Sequence, residues 1–135
     1  MRFRLVEDTL NEAIEPSYRD MLFALIGILT DNDHLKDLIN NEATRKELEF
    51  HHIDGEYITK LTGRKKAKNN SPYNIAIVKK AAHKEISKLN RKSPETKVQN
   101  FRDTMSNEDY RDAIFPLGSC LPSLVAKTLE AEFNS

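Results

Sequence analysis

The spacing of hydrophobic residues divides the first 49 residues into one short strand and several helices. Residues 2–6 alternate between polar and apolar side chains, as a strand does. Pro16 can occupy the first turn of a helix whose apolar stripe runs to Leu29. Asp33 can cap a second short helix, and residues 42–48 predict a further helical turn. We expect these elements to serve packing.

The centre of the chain predicts two strands followed by a helix. Its two apolar runs are short, and Asp54 and Gly55 can form the turn that ends the first one. The connection between the runs is rich in Gly, Asn, Ser, Pro and lysine, which favours a loop. The buried side of the helix would carry Ala82, Ile86 and Leu89. The predicted order is strand 50–53, loop 56–73, strand 75–78 and helix 79–90.

The last third of the chain predicts helices separated by breaks. The predicted helices are 95–105, 108–115 and 121–133. Pro116, Gly118 and Pro122 interrupt the pattern before the last of them. We therefore expect a mostly helical α+β fold in a single domain, residues 1–135. Its parts are an N-terminal strand with helices (1–49), a hairpin-plus-helix core (50–90) and flanking C-terminal helices (94–135).

Composition narrows the class of protein. A chain of 135 residues that is 39% hydrophobic and 31% charged fits one globular domain. No apolar stretch is long enough for a membrane span, and the N-terminus does not predict a secretory signal, so a cytoplasmic location is expected. The single cysteine, Cys120, excludes an internal disulfide and a cysteine zinc cluster, and we interpret it as a small hydrophobic residue near a turn.

Charge is distributed unevenly although the net charge is zero. Residues 1–57 carry 6 Lys and Arg against 13 Asp and Glu, whereas residues 58–92 carry 11 basic residues against one Glu. Residues 93–135 carry 4 basic against 7 acidic residues. A concentrated basic segment suits a protein that holds a polyanion, because lysine and arginine neutralise phosphates. A solvated lysine face remains the alternative.

Three of the four histidines fall within residues 51–83, inside or beside this basic segment. Hydrolysis of a phosphodiester needs a base for the attacking water and a cation that stabilises negative charge. Successive side chains on a strand point to opposite faces, so His51 and His52 can do different work, one as a metal ligand and one towards substrate. His83 can close back on the hairpin as a second ligand. Mg²⁺, Mn²⁺, Zn²⁺ and Ni²⁺ all remain open as the divalent ion.

The motif His51-His52-Ile53-Asp54-Gly55, followed by Asn74 and then His83, resembles the HNH or ββα-metal nucleases, in the form common in small phage-type members. The resemblance covers about a quarter of the chain. It implies a ββα-metal core in which His51 and His83 are metal ligands and His52 is the general base. It also implies that Asn74 braces and orients the loop. Asp54 would set the turn and then support the metal site from outside its ligand shell.

The resemblance implies a metal-dependent endonuclease or nickase that hydrolyses phosphodiester bonds, with DNA as the expected partner. Basic residues beside the motif are candidates for gripping the nucleic-acid backbone without reading bases. They are Arg64, Lys65, Lys66, Lys68, Lys79 and Lys80.

The chain departs from the HNH pattern in two respects, and these leave alternative functions open. Many HNH members have a second histidine four residues after the last one, where this chain has Ser87, and zinc-stabilised members carry cysteine pairs that are absent here. The chain could instead be a weak or inactive ββα scaffold of phage or mobile-element origin. It would then act as a DNA-binding accessory or a protein inhibitor, with a partner protein or a second copy. A helical interaction module with incidental histidines is the third reading, and for His34 we expect a structural role.

Overall fold

The structure of the protein is a computed structural model that describes residues 16–54 and 71–133. The helices are α1 (Pro16–Leu29), α2 (Asp33–Asn40), α3 (Glu42–Arg45), α4 (Lys80–Lys92), α5 (Lys97–Ser106), α6 (Leu117–Cys120) and α7 (Ser123–Phe133). The strands are β1 (Leu48–His52), β2 (Ile75–Lys79) and β3 (Ile114–Pro116). Single 3₁₀ turns lie at Pro72–Asn74, Pro94–Thr96 and Glu108–Tyr110. The predicted strand at 2–6 and Gly55 lie outside the described residues. The α+β class is confirmed.

The three strands form one antiparallel sheet with β2 in the centre. Phe50 lies opposite Ile77 in the first pair, and Ile77 lies opposite Phe115 in the second. Residues 75–78 are fully buried, with no alternation between apolar and polar side chains. A strand covered on both faces needs apolar residues on both, which explains the unbroken run in the sequence.

The sheet separates two hydrophobic clusters. The main core gathers residues from α1, α2, α6 and α7 on one face. It consists of Leu22, Phe23, Ile26, Leu35, Leu38, Ile39, Leu48, Phe50, Ile75, Ile77, Phe115, Leu117, Cys120, Leu121 and Leu129. The second core lies on the other face, beneath α4 and α5, and consists of Ile53, Ala76, Val78, Ala82, Ile86, Phe101, Ala113 and Ile114. Stacked rings of Phe23 and Phe50, with centroids 4.7 Å apart, tie α1 to β1.

Helix α4 forms much as its sequence predicts. Ala82 and Ile86, four residues apart, are its buried positions. The backbone N–H of Lys80 donates to Glu47 O at 2.9 Å, which fixes the start of the helix beside β1. Arg91 and Lys92 occupy the last turn, where positive charge favours the helix dipole. The helix that carries His83 is therefore anchored at the first strand and on the second core.

Several predicted boundaries are wrong. The cap of α2 is Asn32, whose side chain accepts from the N–H of Leu35, so Asp33 is the first helical residue. The helix expected at 42–48 ends at Arg45, since Leu48 already pairs with Lys79 in the sheet. The first strand accordingly begins and ends earlier than 50–53.

The helix expected at 108–115 is also wrong. Residues 108–110 form one 3₁₀ turn, and Ile114–Pro116 is the third strand. Ile114 and Phe115 are 5% exposed, on opposite faces of the sheet, because pairing with β2 buries both. The helix expected at 121–133 begins at Ser123, and Gly118 lies within the short helix α6 rather than between elements.

Cys120 belongs to the main core, as its interpretation as a small hydrophobic residue predicts. The Thr30 hydroxyl donates to Cys120 O at 2.6 Å, which joins the end of α1 to α6. Burial is the largest influence that raises the pKa of the Cys120 thiol above its ordinary value. Within residues 16–54 and 71–133, no helix is both long and apolar enough to cross a membrane.

Candidate functional site

His51 and His83 meet on the face of the sheet that carries the second core, which we call the α4 face. Their ring centroids are 5.0 Å apart and the ring planes are inclined by 66°. His51 lies opposite Ala76 in the sheet register. Helix α4 packs over this strand through Ala82, so its next residue, His83, reaches the same region. The structure thus brings together two of the three histidines that the sequence singled out.

Glu49 is a third polar residue on the α4 face. It precedes His51 by two positions in β1, and residues two apart in a strand share a face. Glu49 Oε1 lies 3.2 Å from His83 Nδ1, and both side chains are about one-fifth exposed, at 20% and 18%. A carboxylate on Nδ1 orients the imidazole, and Nε2 is then the nitrogen suited to a metal. Glu49 is a site residue that the sequence pattern did not predict; its two-residue spacing from His51 was the available signal.

His51 is almost fully enclosed by the protein. The residue as a whole is only 6% exposed. Its ring stacks on Phe101 of α5 with centroids 6.1 Å apart and planes 18° apart. An aromatic wall of this kind keeps water from one side of the imidazole and holds its plane. The rings of His83 from α4 and Phe101 from α5 therefore both lie beside the His51 imidazole.

His52 lies on the opposite face of the sheet from His51. It is the last residue of β1, pairs with Ile75 in the register and is 8% exposed. By strand alternation it shares a face with Leu48 and Phe50, both members of the main core. The structure therefore gives the two adjacent histidines different surroundings, as the strand period predicts.

Asn74 is joined to Asp54 by two hydrogen bonds. The Asn74 side chain accepts from the Asp54 N–H at 3.0 Å and donates to Asp54 O at 2.6 Å. The backbone carbonyl of Asn74 also accepts from Ile53 N at 2.8 Å. The Ser71 hydroxyl caps the 3₁₀ turn that presents Asn74, since it accepts from Tyr73 N at 3.2 Å. Asn74 thus ties the end of β1 to the start of β2.

An open cleft of 830 Å³ runs beside His83 along the outer side of α4, and we call it the α4 cleft. Its lining includes Glu49, Lys80, His83, Lys84, Glu85, Ser87, Lys88, Arg91 and Tyr110. Lys80 is therefore both in the predicted nucleic-acid set and beside the histidines, while Lys79 lies half-buried at the end of β2. The other predicted contacts, Arg64, Lys65, Lys66 and Lys68, lie outside the described residues.

The imidazole pair fits a metal by its chemistry. Two histidines that hold one ion through nitrogens about 2.1 Å from it have ring centres roughly 5 Å apart, and the observed separation is 5.0 Å. The carboxylate on His83 Nδ1 is the usual support of a ligating histidine. Among the residues that the structure describes, no group of three or more His, Cys, Asp or Glu side chains could hold an ion. Water or phosphate oxygens would have to complete the shell.

Comparisons of the chain with protein-family models, with curated protein sequences and with solved structures find no match.

Proposed function

We propose that this protein is a metal-dependent endonuclease of the HNH type that hydrolyses phosphodiester bonds of DNA. The observation that carries the proposal is the approach of His51 and His83, which are 32 positions apart in the chain, with ring centroids 5.0 Å apart. The order β1, β2, α4 also supports a ββα-metal core. The two hydrogen bonds between Asn74 and Asp54 support the bracing role that the motif implies for Asn74.

The proposed roles follow from the surroundings of each side chain. His51 and His83 would hold a divalent ion, Mg²⁺, Mn²⁺, Zn²⁺ or Ni²⁺, and the bound ion would supply Lewis-acid stabilisation of negative charge on the phosphate. In this proposal the Nδ1–H of His83 donates a hydrogen bond to Glu49 Oε1, which keeps the ring oriented. His52 accepts a proton from the attacking water at a ring nitrogen, as the general base. Asn74 holds the residues after His52 in place through Asp54.

A second candidate function is a ββα scaffold that binds DNA or a partner protein without hydrolysis. It is favoured by the position of His52, which is 8% exposed and lies on the face of the sheet opposite His51 and His83, because a general base must reach the water molecule that attacks at the metal site. Ser87 also favours it, since a serine stands where many HNH members have a further histidine. The two candidates differ in one measurable property, turnover in the presence of a divalent ion.

Cleavage of supercoiled plasmid by the full chain, with each divalent ion in turn and with EDTA, tests the proposal. We expect metal-dependent nicking or linearisation. His52→Ala should lower the rate about 10²- to 10⁴-fold, since it removes the base. His51→Ala and His83→Ala should lose metal affinity as well as rate. His34→Ala is the matched control, because His34 is an exposed histidine that lies near Phe115 of the main core and away from the proposed metal site.

Wild-type cleavage that persists unchanged in His52→Ala and His83→Ala would contradict the proposal, since a contaminating nuclease would explain it. If the wild type cleaves with none of the ions but binds DNA in EDTA, the second candidate replaces the first. Circular dichroism of every variant establishes that lost activity does not reflect lost folding.

A further inference from the structure

Three basic side chains form a row on the outer side of α4, beyond the histidines. Lys84, Lys88 and Arg91 are exposed, and their spacing of four and three residues places them on one face of the helix. All three line the α4 cleft. Within the part of the chain that the structure describes, none of the three has an ion-pair partner. Their charge is therefore available to a ligand in the cleft.

The composition of the α4 cleft indicates a polyanion. Four of its lining residues are cationic, the row just described and Lys80, against two carboxylates, Glu49 and Glu85. Glu49 is engaged with His83, which leaves Glu85 as the one remaining acidic group among the described lining residues. Small-molecule pockets are concave and enclose most of the surface of their ligand, whereas this cleft is wide open beside a lysine-bearing helix. Repeated negative charge along an extended ligand matches it better.

The length of the row matches a short run of phosphates. Seven residues of α-helix from Lys84 to Arg91 span about 10 Å, at about 1.5 Å per residue. Phosphates of one strand of duplex DNA follow one another at about 3.4 Å along the helix axis, so a row that runs parallel to this axis covers about three of them. His83 stands one residue before the row, so the same strand would continue to the imidazole pair.

Tyr110 is a residue outside α4 and β1 that lines the α4 cleft. Tyr110 is half-buried against the second core and ends the 3₁₀ turn that Asn107 caps. The Tyr110 N–H donates to Asn107 O at 3.0 Å, and the Asn107 side chain accepts from Asp109 N at 2.9 Å. The α4 cleft is thus lined by the cations of α4 and by a residue of a hydrogen-bonded turn after α5.

We infer that the α4 cleft binds the sugar–phosphate backbone of one nucleic-acid strand through Lys84, Lys88 and Arg91, and leads that strand to His83. This inference rests on the proposed function for the fate of the strand. It extends that function to three basic residues outside the predicted nucleic-acid set, Lys84, Lys88 and Arg91. Contacts from lysine and arginine to phosphates position a strand without reading its bases. Binding along the α4 cleft is therefore independent of sequence.

Salt-dependent binding tests the inference without any requirement for cleavage. Fluorescence anisotropy of a labelled duplex oligonucleotide is measured in EDTA, between about 50 and 200 mM salt. The test variant of the full chain carries Lys84→Gln, Lys88→Gln and Arg91→Gln. The matched control removes the same charge elsewhere with Lys36→Gln, Arg102→Gln and Lys127→Gln. Each phosphate contact contributes about 0.9 to the slope of log K against log salt, so the slope of the test variant should fall in magnitude by about 2 to 3, while the control keeps the wild-type slope.

Equal slopes for the wild type and the test variant would overturn the inference, as would equal losses in the test and control variants. A strong preference for one of two unrelated sequences of the same length would also overturn it. Poly-glutamate serves as the probe for an acidic protein partner. If it competes with the oligonucleotide at equal charge concentration, the cleft is a general acidic-ligand surface and the phosphate assignment is wrong.

The two proposals fail separately. A reduced slope in the test variant with no metal-dependent cleavage by the wild type supports strand binding in the α4 cleft and removes the nuclease. Cleavage that depends on His52 and His83, together with an unchanged slope in the test variant, supports the nuclease and removes strand binding in the α4 cleft.

Discussion

The imidazole of His83 is held between a carboxylate and a second imidazole. Glu49 contacts its Nδ1 at 3.2 Å, and the ring of His51 lies 5.0 Å away between centroids. One helical turn further, Ser87 lines the same cleft. Residues four apart on a helix have Cβ atoms about 5–6 Å apart on one face, so the side chain at position 87 is a neighbour of the imidazole pair. The side chain at position 87 therefore decides how many protein ligands the region of His51 and His83 could offer to a metal ion.

Replacement of Ser87 by histidine should strengthen metal binding. Two histidines at i and i+4 on one helix face are a common zinc-binding arrangement, so Ser87→His would offer a third imidazole beside His51 and His83. We expect the affinity for Zn²⁺ or Ni²⁺ to rise roughly tenfold or more, measured by isothermal titration calorimetry. Ser87→Ala is the control and should leave the affinity unchanged. Equal affinities for Ser87→His and wild type would argue that the imidazole pair is not a metal site.

The elements around the site differ in how well their sequences predict them. Helix α4 is predictable because Ala82 and Ile86 mark one face, and β2 because four consecutive apolar residues are too few for a helix. Strand β3 is not predictable in this way, because its apolar run is very short and ends at Pro116. Its pairing partner, β2, also lies far away in the chain. Glu49 was missed for a similar reason. A single glutamate in a short strand has no distinguishing pattern until helix α4 brings His83 to it.

The junction between β1 and β2 should depend on the Asn74 side chain. Asn74→Ala removes both hydrogen bonds to Asp54, and each is worth about 0.5–1.5 kcal/mol net. We expect the free energy of unfolding to fall by about 1–3 kcal/mol, measured by urea denaturation. Asn74→Asp keeps the acceptor for Asp54 N but loses the donor to Asp54 O, so its stability should lie between those of the other two. If all three proteins unfold alike, the two bonds do not stabilise the junction.

The whole molecule is stabilised mainly across the sheet face that carries the main core. Fifteen buried residues form this core, whereas eight form the second core beside the site. Phe50 has no exposed surface and stacks on Phe23, so it joins the helical layer to the strand that also carries the histidines. The stability of the site is therefore largely set by contacts that lie on the other side of the sheet.

Truncation of Phe50 should destabilise the entire fold. Phe→Ala in a close-packed core costs about 3–5 kcal/mol, a large share of the roughly 5–15 kcal/mol by which domains are stable. We expect Phe50→Ala to unfold at much lower denaturant, with far-ultraviolet circular dichroism and tyrosine fluorescence changing together. Leu124→Ala is the control, since Leu124 is 78% exposed and should change stability by less than about 0.5 kcal/mol. A change in Phe50→Ala as small as that of the control would contradict the packing described for β1.

The sheet keeps the two hydrophobic clusters on opposite faces. Substitutions in the main core can therefore change the stability of the fold separately from the surroundings of His51 and His83. Substitutions among distant side chains with no shared neighbour change stability nearly additively. Stabilising substitutions near Ile26 in α1 or Leu35 in α2 would offset destabilising changes around His83 without altering the surroundings of that imidazole. A variant library aimed at new activity could therefore begin from a parent strengthened on the far side of the sheet.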